Sequence, residues 1–230
     1  MRQLRRWHIY ENREELDVHA AQALLRAAAQ AIQARGEFHV VLAGGNTPRA
    51  VYTRLSKAAA GWSHWHVYFG DERCLPRGDP GRNDAMARNA WLDRVSIPRP
   101  QIHGIPAEES APVAVARYSE TLARIEPFDV VLLGVGEDGH TASLFPGHTS
   151  DRDESVFAVD DSPKPPPRRI TLGAARLSRS RQVLFIVSGS RKRQAVTAWR
   201  SGLEVPASTI TPSDGVDILV DASAWPDTSP

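Results

Sequence analysis

The chain has 230 residues, 41% hydrophobic and 24% charged, which is ordinary globular usage and excludes a disordered profile. Its 28 basic and 27 acidic residues nearly cancel, so no net charge draws it to nucleic acid or an anionic membrane, and any anion it binds must be held locally. Cys74 is the only cysteine, which excludes an internal disulfide and a multi-cysteine zinc site and fits a reducing cytoplasm.

The basic start of the chain is followed by no apolar stretch of the signal-peptide kind, and no apolar run approaches the ~20 residues of a membrane span. Residues 14–35 are rich in Ala, Leu, Gln and Arg, with Leu16, Ala20, Ala23, Ala27 and Ala31 near helical spacing and Gly36 as a stop, and they predict a surface helix. His39-Val-Val-Leu-Ala43 then runs into Gly44-Gly45-Asn46-Thr47-Pro48 and on to Leu55. This predicts a strand, a glycine turn and a helix capped by Asn46 or Thr47. The pattern returns as Val67–Phe69 before Gly70-Asp71-Glu72-Arg73, and as Phe128–Leu133 before Gly134-Val-Gly-Glu-Asp-Gly-His140. Pro163-Lys-Pro-Pro-Pro167 reads as a stiff extended loop placed to fix Arg168 and Arg169. Val183–Val187 before Gly189 and Val216–Val220 complete the strands, and residues 222–230 read as a frayed tail.

Near-continuous apolar strands interleaved with helices predict an α/β fold, a mostly parallel sheet covered on both faces, in one domain over residues 1–230. Ligands of such sheets sit beyond the carboxyl ends of the strands. The polar clusters of this sequence fall at or near those ends.

Gly44-Gly45-Asn46-Thr47 offers unobstructed backbone N–H groups, a hydroxyl and the positive end of a helix dipole, which suits a phosphate or an oxyanion. An ordinary strand-to-helix turn reads the same way. Asp71-Glu72-Arg73, taken alone, reads as a solvated loop, and Cys74 as a small packed residue rather than a nucleophile. Gly134-x-Gly-x-x-Gly139 matches a dinucleotide fingerprint in form only. Glu137 and Asp138 lie where a pyrophosphate would sit and Pro146 interrupts the helix that should follow, so no nicotinamide cofactor is expected. The loop does offer His140, beside a carboxylate that can orient its ring, as a candidate general base. The other histidines (His8, His19, His39, His64, His66, His103, His148) read as structural. His64 and His66 alternate like same-face strand residues but lack further ligands at metal spacing, so no metal is expected. Arg191-Lys192-Arg193 reads as a phosphate clamp or as a solvated basic helix end, and Arg179 and Arg181 as solvated.

The run Phe128-Asp-Val-Val-Leu-Leu-Gly-Val-Gly-Glu-Asp-Gly-His-Thr-Ala-Ser-Leu-Phe-Pro-Gly-His148 resembles the signature of the 6-phosphogluconolactonase family. It is joined in order by Leu42–Pro48, by Phe69–Pro76 with Asn83 downstream, by Pro166–Leu172 and by Gly189–Lys192. The resemblance implies a modified Rossmann-like fold, hydrolysis of 6-phosphoglucono-δ-lactone in the oxidative pentose phosphate pathway, and no cofactor. By position it implies that His140 activates water, that Asp71 is an acidic residue of the pocket, and that Gly44, Gly45, Asn46, Thr47, Arg73, Arg169 and Lys192 hold substrate, mainly its phosphate. Asn46 and Arg82 depart from the family pattern, where serine is commoner at both places. Two other functions compete. Related deaminases of amino-sugar phosphates carry a glutamate where this chain has Phe145, and a sugar-phosphate sensor would need a DNA-binding module, for which the first 37 residues hold only one convincing helix.

Overall fold

The structure is a computed structural model and describes residues 3–125, 127–147 and 154–226. Strand β1 (Arg5–Tyr10) leads into helix α1 (Arg13–Arg35), where the Asn12 side chain accepts from the Glu15 N–H at 3.0 Å and Gly36, at φ 83°, closes the last turn onto Ile32. The buried stripe of α1 is Leu16, Ala20, Leu24, Ala28 and Ala31. Ala23 and Ala27, predicted in it, lie at its margin because the helix turns slightly past the assumed repeat.

Strands β2 (Phe38–Leu42), β3 (Trp65–Phe69) and β5 (Ile102–His103), with β6 (Phe128–Gly134), β9 (Ser180–Val187) and β10 (Val216–Asp221), join β1 in one sheet ordered β1-β10-β9-β6-β2-β3-β5. Every pairing in it is parallel. The central strands are buried almost throughout, which is why they read as unbroken apolar runs. Helices α2 (Asn46–Leu55), α3 (Asn83–Ala90), α4 (Ala111–Leu122), α5 (Ala174–Ser178) and α6 (Arg193–Arg200) flank the sheet with α1. No helix among the described residues is long and apolar enough to cross a membrane.

A second, antiparallel sheet in the order β4-β8-β7 was not visible in the sequence; it is built from β4 (Asp71–Arg73), β8 (Arg169–Leu172) and β7 (Val156–Val159). It corrects the solvated-loop reading of Asp71-Glu72-Arg73, since Asp71 is 5% exposed and Glu72 fully buried. The burial is tolerated because pairing with β8 occupies the backbone. The Glu72 carboxylate also accepts the N–H groups of Arg73, Asn83 and Asp84 at 2.7–2.8 Å, with Arg82 beside it. Cys74, next in sequence, packs against the core, and burial pushes its thiol up, away from a nucleophile.

The tail expectation is also corrected in part. Ala224 is buried, its N–H and that of Trp225 bond to Asp221, and Trp225 packs edge-on against Trp7 under the Arg200 guanidinium. Residues 227–230 lie outside the described residues, as does His148. His64 is not a strand neighbour of His66. It sits in a 3-10 turn with its Nδ1 on the Gly36 carbonyl at 2.8 Å. Among the described residues no three His, Cys, Asp or Glu side chains gather as a metal site requires.

His39, His66, Tyr68 and His103 instead stack along one face of β2, β3 and β5. Burial, then the neighbouring imidazoles, pushes His103 down to about 4, and burial lowers His66 as well. Because the folded values lie below the unfolded value of ~6.5, the unfolded chain binds more protons between those limits, and stability falls as pH drops through that window. His103→Phe keeps the ring stacking and removes the proton, so the loss of thermal stability from pH 6.5 to pH 4 should be shallower than in the parent. An equally steep loss in the variant would place the acid sensitivity elsewhere.

Candidate active site

The carboxyl ends of β2, β6, β9 and β10 open into a cleft of about 580 Å³. The residues that the resemblance assigns to the site all line it: Gly44, Gly45, Asn46 and Thr47 from the β2–α2 turn, Asp71 and Arg73 from β4, His140 after β6, Arg169 from β8, and Lys192 after β9, whereas Arg193 of the basic run does not.

The glycine turn is shaped by what it excludes. A side chain on Gly44 would place its Cβ 1.9 Å from Asn83 Oδ1, and Gly45 has φ 105°. Gly45, not Asn46 or Thr47, is the N-cap of α2, and no side chain caps the helix. Asn46 and Thr47 belong to its first turn, so the capping reading is corrected. The N–H groups that a cap would have satisfied remain available to a ligand at the positive end of the dipole.

Asn83, nearly fully buried, donates from Nδ2 to the Asp71 carbonyl at 2.9 Å and to Asp71 Oδ1 at 3.0 Å. Ser143 Oγ donates to Asp71 Oδ2 at 2.6 Å, and Arg169 Nη1 stands 3.8 Å from the same oxygen. Both oxygens of Asp71 are thus engaged by protein donors, which suits an orienting anion better than a mobile proton carrier. Arg73 gives Nη1 to the Gly81 carbonyl at 2.6 Å.

His140 is fixed by its loop. Gly139 takes φ 82°, and the Gly136 N–H bonds back to the His140 carbonyl at 2.7 Å. A Cβ on Gly136 would fall 1.9 Å from His140 Nδ1. The ring packs against buried Phe145, centroids 4.7 Å apart, and Nδ1 bonds to Asp138 Oδ1 at 2.5 Å. An ionised Asp138 only accepts, so Nδ1 carries the proton and Nε2 keeps its lone pair. Burial lowers the affinity of His140 for a second proton, opposed by Asp138, so the neutral base is favoured.

Arg169 and Lys192 both line the cleft but differ in their surroundings. Arg169 is buried and spends Nε and Nη2 on the carbonyls of Pro166, Lys164 and Pro165 at 3.0–3.1 Å, leaving Nη1 toward Asp71. The arginine therefore holds the proline loop as much as the loop holds it. Lys192, half-buried, has Glu137 and Asp138 as its acidic neighbours, and burial lowers its pKa. Its turn follows Gly189, at φ 100°, whose N–H bonds to Asp221, which also accepts from Ser188 and Ser223. Arg191 is exposed and faces Glu137 at 3.4 Å, and Arg179 and Arg181 are exposed.

Four polar cleft residues were missed: Arg13, whose Nη2 donates to the Asn46 carbonyl at 2.7 Å, Ser188, Asp221 and Ser223. Asp221 ends β10 and was open to the strand-end rule. Arg13 begins a helix far from any motif and carried no signal.

The cleft joins a neutral imidazole held by a carboxylate, an uncapped helix N-terminus and several cations. Residues 11–219 match the family described as glucosamine-6-phosphate isomerases/6-phosphogluconolactonase. A 6-phosphogluconolactonase of Mycobacterium tuberculosis is 40% identical over 219 residues, covering 87% of this chain and 89% of its own length. One from Nostoc is 37% identical over 212 residues, covering 84% and 86%. The crystal structure of a 6-phosphogluconolactonase from Thermotoga maritima matches with TM-score 0.89 at 26% identity, over 95% of this chain and all (100%) of that one. A monomeric glucosamine-6-phosphate deaminase shares the fold at TM-score 0.83 and 21% identity, over 95% and 98%.

Proposed function

The chain belongs to the glucosamine-6-phosphate isomerase/6-phosphogluconolactonase family, and from that membership and the cleft we propose that it hydrolyses 6-phosphoglucono-δ-lactone to 6-phosphogluconate as one domain. The observation that carries this reading is His140, its Nδ1 committed to Asp138 at 2.5 Å and its other nitrogen left as a base.

Nε2 takes a proton from water as the oxygen attacks the lactone carbonyl. The developing oxyanion is met by donors preset in the cleft, N–H groups of the loops or the Arg73 guanidinium. Collapse breaks the bond to the ring oxygen, which leaves with the proton held on the imidazolium. The base is restored, and no covalent intermediate is needed. Gly44, Gly45, Asn46 and Thr47 with Lys192 hold the phosphate, and Arg73 and Arg169 hold the substrate beside Asp71. Binding energy from the remote phosphate orients the ring for attack.

The family's other activity requires proton transfers at the ring oxygen, C1 and C2, and so a second acid–base group near the sugar. Phe145 lies against His140 where related deaminases carry a carboxylate, and it cannot transfer a proton. The two activities are tested side by side: the protein should release acid from freshly made lactone and no ammonia from glucosamine 6-phosphate. Ammonia at a rate comparable to lactone opening, lost in His140→Ala, would overturn the reading.

The fit of the loop around the base gives a further expectation. Gly136→Ala forces a methyl group into the space of His140 Nδ1. It should lower kcat about tenfold, short of the hundredfold that a full ångström of misplacement can cost, because the loop can yield. An unchanged kcat would mean that the ring position is not critical.

A further inference from the structure

The proline loop 163–167 takes no part in the steps above, yet it is fastened with care. Ser162 closes it by donating its N–H to the Pro167 carbonyl at 3.0 Å. Its hydroxyl donates to the Lys164 carbonyl at 2.9 Å and accepts the Lys164 N–H at 3.2 Å. Arg169, from inside the protein, holds the carbonyls of Lys164, Pro165 and Pro166. Prolines fix the backbone around these bonds.

On this stiff mount stands one cation. Lys164 Nζ lies 3.9 Å from Asp138 Oδ1, the same oxygen that holds His140 Nδ1. The result is a row of ammonium, carboxylate and imidazole supplied by two separate segments. A half-exposed ion pair of this kind adds little to stability. The charged groups facing His140 are Asp138 from its own loop, Asp71 from β4 and Lys164 from the proline loop. The two carboxylates favour a protonated ring, and Lys164 alone of the three opposes it.

We propose that Lys164 is a positioning residue for the His140 base: it steadies Asp138 on the Nδ1 side and keeps the imidazole neutral between two carboxylates. This rests on His140 being the base of the proposed lactonase. The test compares Lys164→Met, which keeps the length of the side chain, with Lys164→Arg, which keeps the charge. With the uncatalysed rate subtracted, the acid limb of kcat/KM should move to higher pH in Lys164→Met. The expected loss is ~threefold on the acid side against less than about twofold on the alkaline plateau, as one partly screened charge implies. Lys164→Arg should restore the limb. The same shift should appear with non-phosphorylated glucono-δ-lactone, because the effect passes through His140. NMR titration of the His140 ring should move in the same direction and reads the inference without any activity. A shifted ring titration in a protein that opens no lactone would therefore sink the lactonase reading and leave Lys164's effect on the ring standing. An unmoved titration would overturn the inference. So would a rise in KM confined to the phosphorylated substrate, which would make Lys164 a phosphate ligand.

Discussion

Replacing His140 with Ala is expected to lower kcat for lactone opening by roughly 10²- to 10⁴-fold, the usual worth of a general base, with a smaller change in KM. The size follows from the isolation of the ring. Asp71, the other carboxylate that acts on the ring, has its oxygens taken by Asn83 and Ser143, and Asp138 points at the imidazole itself. Neither is free to replace it. The pH dependence has a definite sign. The base works unprotonated, and burial pushes its pKa below the ordinary histidine value of ~6.5. Wild-type kcat/KM should therefore hold steady through neutral pH and fall only on the acid side of that value. In His140→Ala this acid limb should disappear with the rate. A variant with near-wild-type kcat would remove His140 from the mechanism.

Lys192→Met is expected to cost about ten- to more than a hundredfold in kcat/KM. It removes one charge-assisted bond to a partly desolvated phosphate, worth roughly 1.5–3 kcal/mol. Lys192 stands at the end of a turn fixed by Asp221, beyond β9, so its loss leaves the sheet untouched. Glucono-δ-lactone, which lacks the phosphate, is the control and should be turned over equally by wild type and variant. Arg169→Met should behave differently. It frees three loop carbonyls as well as the space beside Asp71, so both substrates should suffer. Equal losses on both substrates for Lys192→Met would move that lysine from the phosphate to the carbonyl or the fold.

The legible parts of this protein are those set by short-range chemistry. The apolar runs at 39–43, 128–133, 183–187 and 216–220 announce buried parallel strands because both faces of such strands are covered. Gly44 was readable as a place where the backbone is unobstructed, though its neighbour Asn83, like the approach of Gly136 to His140, emerges only in three dimensions. The small sheet was not legible. β4 has three residues and β8 four, and they pair across about a hundred intervening positions, so no local pattern distinguishes Asp71-Glu72-Arg73 from a loop. The cap of α2 was misread because Asn46 and Thr47 are good capping residues by type, whereas the turn places Gly45 at the cap. The docked start of the tail depends on Trp225 finding Trp7 at the other end of the chain, which no nearby residue foretells.

The most direct measurement is acid release from freshly generated 6-phosphoglucono-δ-lactone in weak buffer, with wild type, with His140→Ala and with no protein. The account predicts that wild type accelerates the release well above the spontaneous rate and that His140→Ala falls back by at least about a hundredfold. Acid release by wild type no faster than the spontaneous opening, from a folded protein, would contradict it.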